Sequence, residues 1–264
     1  MQELYRKLVD KNVIIFTTDK NYLPFAKIFV NSVLKNTNNI EILGRFVNCT
    51  EEDLIDFKDI HIINDQKKLS TVRNLKTREG KTAVDKEDFT LINKTNVKPL
   101  RFFYSELIAY SSNIKFDTIF NLLKNGVKNV IYLDVDSIIR KDLNNLFKNL
   151  NDYDFCFYKD EPYKDRLKNH DFLYHGGLIG VNNNTNTLSI LKNTINKITN
   201  EILDFDIDEK VIYNFINLSD KILEISKKYK DEDLSLDSFI WSGSGKTKFA
   251  NDRYIIEGKK YEVR

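Results

Sequence analysis

A chain of 264 residues with 41% apolar and 12% aromatic content is long and apolar enough to bury a sizeable core as one large α/β domain. Its 41 basic and 39 acidic residues leave a formal charge of +2, which excludes the one-sided electrostatics of a nucleic-acid binder. No apolar run reaches the length of a membrane span, and the charged start MQELYRKLVDKN lacks a signal-peptide core, so the expectation is a cytoplasmic protein without a membrane span.

The first pattern along the chain is NVIIFTTDKNYLPFAKIFVNSVLKNT. Residues 13–16 predict a strand, with Thr17, Thr18 and Asp19 at its carboxyl end. A helix over residues 22–35 follows, because Phe25, Ile28, Phe29, Val33 and Leu34 recur at helical spacing and Pro24 suits a first turn. A strand over residues 40–47, a short helix over 51–57 and a strand over 59–63 complete a β-α-β-α-β opening. That order predicts a parallel sheet with helices on its faces. Cys49 and Cys156 form no C-x-x-C and read as two reduced, buried thiols. Residues 64–98 then break the rhythm with a polar, charged excursion that reads as a solvated loop.

Order resumes with helices over residues 99–110 and 114–124, leading to the run VIYLDVDSII at 130–139. Its four apolar residues, Val130 to Leu133, read as a buried strand of a parallel sheet. The strand ends in Asp134 and Asp136, at the carboxyl edge where open α/β sheets bind ligands. Carboxylates this close repel each other, and a divalent cation carrying substrate phosphates is a hard-oxygen answer to that repulsion. The plainer reading is a strand-end turn whose acids face water. Downstream come a short helix over 141–150, a strand over 152–160, a charged loop over 160–173 and the run HGGLIGV. A helix over 188–202, an acidic turn at 204–210, a helix over 211–218, a polar connection over 226–237 and a Gly-Ser-rich tail complete the chain. Neither internal repeat nor linker divides it, so residues 1–264 read as one domain.

Together these motifs resemble a GT-A fold glycosyltransferase of family 8, the glycogenin and lipopolysaccharide galactosyltransferase type. The resemblance implies a single Rossmann-like α/β domain, with a mostly parallel central sheet and helices on both faces. It also implies a metal-dependent, retaining transfer of a hexose from a UDP-sugar to a hydroxyl acceptor, whether glycan, protein or small molecule. By the first motif, Thr17, Thr18, Asp19 and Tyr22 would contact the nucleoside; the alternative is a capped helix start with Asp19 or Asn21 as the cap. By the second, Asp134 and Asp136 would bind Mn²⁺ or Mg²⁺, Asp136 also the diphosphate, and the Val135 backbone the ribose. Arg101 resembles the family's basic donor-contacting residue, though it lies 33 residues before Asp134. In FLYHGGLIGVNNN, Gly176 and Gly177 would let the sugar approach the backbone, with His175 where the family usually has Asn. In DFDIDEKVIYNFI, Asp208 would contact sugar hydroxyls and Glu209 would stand beside the anomeric carbon.

One departure concerns the tail, residues 240–253, where the family's H-x-x-G-x-x-K-P-W supplies a third metal ligand and a phosphate lysine. IWSGSGKTK keeps Gly243 and Lys246, but Ile240 takes the place of the histidine and cannot bind a metal. Ser242, Ser244 or Asp252 would substitute, or the metal has only two protein ligands. Lys246 with the Gly-Ser backbone donors would still clamp phosphate. GSGKT is not a P-loop, since G-x-x-x-x-G-K-[ST] needs glycine at position 240. Two rivals remain: a haloacid-dehalogenase-type phosphatase using Asp134 and Asp136, and a sugar-nucleotide-binding relative without turnover.

Overall fold

The computed structural model describes residues 2–69, 75–76, 82–83, 106–159, 174–200, 207–243 and 252–262. Helix α1 (Gln2–Lys7) leads into β1 (Asn12–Asp19), whose burial is unbroken from Val13 onward. Alternation along this strand assigns its side chains to two cores: Val13 and Ile15 enter one, Ile14 and Phe16 the other. A strand buried on both faces needs a helix layer on each. Helix α2 (Leu23–Asn36) covers one face, as its apolar spacing predicts. β2 (Glu41–Val47), the short α3 (Glu51–Leu54) and β3 (His61–Asp65) follow as expected. Of the polar excursion the structure describes residues 64–69, where β3 runs on to Asp65, and a small antiparallel pair, β4 (Leu75–Lys76) and β5 (Thr82–Ala83).

Helix α4 (Glu106–Lys124) corrects the expectation of two helices in this region. Ser111, Ser112 and Asn113 contain no helix breaker, and Ala109, Phe116, Ile119, Leu122 and Leu123 form one apolar face on one core. Gly126, at φ +90°, then turns the chain into β6 (Asn129–Leu133). β7 (Ser137–Ile139), α5 (Asn144–Leu150), β8 (Phe155–Lys159), β9 (Tyr174–Asn182) and α6 (Thr185–Asn200) come next. They are followed by α7 (Ile207–Leu218), β10 (Ile222–Ile225), β11 (Ile240–Ser242) and α8 (Asp252–Lys259). The expected acidic turn is already helical from Ile207, β10 lies between the expected helix and polar connection where no element was read, and α8 lies in the tail.

The seven-stranded sheet runs β10-β8-β9-β6-β1-β2-β3. β1 pairs in parallel with both β2 and β6, while β9 runs antiparallel to β6 and β8. This is the mostly parallel sheet of the expected fold class. Helices α4, α6 and α7 contribute to one core; α2 and α5 pack on the other. Cys49 and Cys156 are both buried free thiols, and burial pushes the Cys49 thiol up to about 11. Among the described residues no helix is long and apolar enough to cross a membrane.

Candidate functional site

β1 and β6 are parallel neighbours, so their carboxyl ends open on the same edge of the sheet. A cavity of about 260 Å³ lies there, walled by Thr17, Thr18, Asp19 and Tyr22 from the first strand-turn and by Tyr132, Asp134, Val135 and Asp136 from the second. Ser111 and Ser112 of α4 complete the wall. Two stretches more than a hundred residues apart in sequence therefore meet across one space, as the first two motifs require.

Each side is held by identifiable bonds. Asp19 Oδ1 accepts from the Asn21 backbone N–H at 2.8 Å, so this residue does cap the turn that carries Tyr22. Tyr22 stands 42% exposed at the rim, its ring 5.8 Å from that of Phe25. Thr17 Oγ1 lies 3.5 Å from the Tyr132 hydroxyl, which donates to Asp134 Oδ1 at 3.0 Å. Tyr132 thus bridges the two halves of the site and orients the first carboxylate. It was passed over in the sequence because in VIYL it looks like one more buried strand residue.

The backbone around the acids is pinned from three directions. Asp134 N–H donates to Gly177 O of β9, and Ser137 N–H donates to Asp134 O, each at 3.0 Å. Asp136 O accepts from Gly243 N–H at 3.0 Å and from the buried Tyr254 hydroxyl at 2.6 Å. Burial, with the nearby Asp136 charge, pushes the Tyr254 phenol far up, so it stays a donor. β11 pairs antiparallel with β7, Ser242 opposite Ser137, which brings the start of the tail beside the paired acids.

A Cβ at Gly177 would collide with the Asp134 carboxylate; the glycine leaves room for an acid of this chain. Gly176 is buried, and its carbonyl accepts from Lys115 Nζ at 3.0 Å. Lys115 is 2% exposed and sits 4.8 Å over the Tyr132 ring, so a buried ammonium underlies the cavity wall. Sequence reasoning missed it because it stands as one more residue of the second expected helix, 114–124. His175 stacks on Tyr158 at 5.8 Å between centroids. Asp208 and Glu209 occupy the first turn of α7, with side chains outside what is described. Arg101, Ser244 and Lys246 lie outside the described residues.

Asp134 and Asp136 fit a divalent cation by donor chemistry: two hard carboxylate groups at an open cavity, with room for phosphate oxygens. Ile240 is 1% exposed within the core and offers nothing to it. Among the described residues no three His, Cys, Asp or Glu side chains gather into a ligand set.

The sequence profile of glycosyl transferase family 8 matches residues 13–173. Among solved structures, the galactosyltransferase LgtC, in complex with donor and acceptor sugar analogs, superposes with a TM-score of 0.55 at 14% identity. That likeness covers 94% of this chain and 96% of LgtC. The apo form of the glycosyltransferase GlyE from Streptococcus pneumoniae TIGR4 gives a TM-score of 0.58 at 13% identity, over 96% of this chain and 60% of that one. At such identities the superpositions speak for the fold alone. No curated protein matches the chain in sequence.

Proposed function

The chain belongs to glycosyl transferase family 8, and from that premise we propose that it moves a hexose from a UDP-sugar to a hydroxyl acceptor, with retention of configuration. One observation carries the reading: the hydroxyl-and-carboxylate end of β1 faces the paired acids after β6 across a single cavity. The first half suits a nucleoside, and the second would hold a divalent cation beside a diphosphate. Membership of the family also displaces the phosphatase alternative.

Tyr22 offers a ring face to the base, while Thr17, Thr18 and Asp19 offer hydroxyls and a carboxylate to base and ribose edges. The Val135 backbone borders the ribose. Asp134 and Asp136 would hold Mn²⁺ or Mg²⁺, which when bound neutralises the diphosphate as the bond to the sugar breaks. Tyr132 keeps Asp134 Oδ1 in one orientation for that duty. Lys115, fixed to Gly176 O, adds buried positive potential behind the wall; Arg101 and Lys246 are proposed as phosphate contacts from flanking segments. Asp208 and Glu209, at the start of α7, would position the sugar and steady positive charge at its anomeric carbon. The leaving UDP takes the electron pair of the broken bond, and the acceptor oxygen bonds the same carbon as its hydroxyl proton passes to the departing diphosphate oxygen.

UDP release from a panel of UDP-sugars, with Mn²⁺, with Mg²⁺ and with EDTA, tests this. Metal-dependent release favouring one sugar is the expected result and names the donor. UDP binding without release from any sugar, with an acceptor panel present, would instead mark a non-catalytic relative. Neither binding nor release overturns the reading.

A further inference from the structure

Lys230 belongs to the stretch read from sequence as a polar connection, yet it is only 7% exposed. It follows the turn Lys227–Tyr229, and its Nζ donates to Glu232 Oε1 at 2.8 Å. Its side chain passes over Gly177: Lys230 Cε lies 3.1 Å from the point a Cβ there would occupy. The Asp134 carboxylate crowds that same point. A buried ammonium stem and the first acid of the pair therefore converge on one glycine, the residue whose missing side chain makes room for both.

The backbone explains why a cation arrives at this place. Asp231 N–H donates to Ile240 O at 3.1 Å, and Ser242 N–H donates to Asp231 O at 2.9 Å. The segment bearing Lys230 is thus bonded along β11, whose first residue is the Ile240 that stands where a metal-binding histidine was expected. The histidine's imidazole is missing, and the segment bonded to β11 carries a lysine whose stem lies beside Gly177 and the Asp134 carboxylate. Two carboxylates and a diphosphate gather several negative charges in one cleft, and burying charge without compensation is costly.

We propose that Lys230 is a resident cation of the donor site, contacting the diphosphate on the Asp134 side. Through it this chain holds a nucleoside diphosphate without a divalent ion. The inference rests on the donor-site reading given above. Glu232 is the ammonium's counter-ion in the unliganded protein, and its side chain, 42% exposed, has space to swing away when a phosphate takes its place. Lys115 has a different station, bonded to Gly176 O beneath the Tyr132 ring.

The test is calorimetric titration of UDP into the full chain, in EDTA and in Mn²⁺, for wild type, Lys230→Gln and Lys230→Arg, with melting curves recorded for each. Wild type is expected to bind UDP in EDTA. Lys230→Gln should lose about tenfold or more of that metal-free affinity, the scale of one charge-assisted contact, and much less in Mn²⁺. Lys230→Arg should keep it. Wild-type binding only in Mn²⁺ would overturn this inference and leave the donor site standing. A Lys230→Gln loss equal in both conditions, or no loss at all, would overturn it too. UDP binding in neither condition would remove the donor-site reading and this inference together.

Discussion

At the scale of single residues, the site is two acids whose surroundings are already built. Asp136 lines the cavity at 6% exposure, and its backbone is fixed by Gly243 and Tyr254. Asp136→Asn should therefore keep the fold, seen in an unchanged circular dichroism spectrum. It should also lower metal-dependent UDP release by about a hundredfold or more, the scale of one lost preorganised electrostatic contact; near-normal release would sink the assignment. Gly177→Ala acts differently. Its methyl group meets the Asp134 carboxylate, so thermal denaturation should report about 1–3 kcal/mol of lost stability. The paired acids were legible because D-x-D after an apolar strand is a local pattern. The partners of those acids were not. Tyr132 stands two residues before Asp134 but reads as one more core residue, whereas Lys115 and Lys230 reach Gly176 and Gly177 only through the tertiary fold.

At the scale of elements, α4 is the wall that the rest of the site leans on. Arg45 of β2 fastens it, donating to Asp65 of β3 at 2.7 Å and to Asp117 and Thr118 of α4 at 2.8 and 2.9 Å. Tyr110 of the same helix donates to Asp65 as well. Arg45→Met should cost about 3 kcal/mol in chemical denaturation, the low end for orphaning buried acids, because Asp117 is partly exposed. UDP affinity should fall with it, since Ser111 and Ser112 ride on α4. The opening strands and α2 were legible because each apolar run has one period and one end signal. α4 was split in the reading because its polar Ser-Ser-Asn stretch resembles a break, whereas helical hydrogen bonding runs through it undisturbed. β10 escaped notice because an edge strand of four residues, with only Ile225 buried, carries little pattern.

At the scale of the whole molecule, acid stability depends on two buried carboxylates that do not line the cavity. Burial pushes the Asp154 carboxyl up, but hydrogen bonds from Ser219, Asn186 and Asn184 outweigh it and hold the group below its ordinary value. Asp231 is lowered in the same manner, against its burial, by Ser238 and by backbone N–H groups of Ser235 and Asp233. A lowered folded-state value stabilises above the unfolded value near pH 4 and is lost as pH falls through the folded one. Melting temperature should accordingly hold from neutrality to about pH 5 and decline below about pH 4, with a shallower decline in Asp154→Asn. The overall α/β order was readable from alternating apolar runs, but the reversal of β9 was not, because antiparallel and parallel neighbours bury the same side chains. The bond from Tyr254 to Asp136 O, which joins positions 118 residues apart, has a consequence in time. A ribosome adding 5–20 residues per second needs roughly 6–24 s to travel from one to the other. For that interval the nascent chain carries its paired acids without the bond that fixes the backbone of the second.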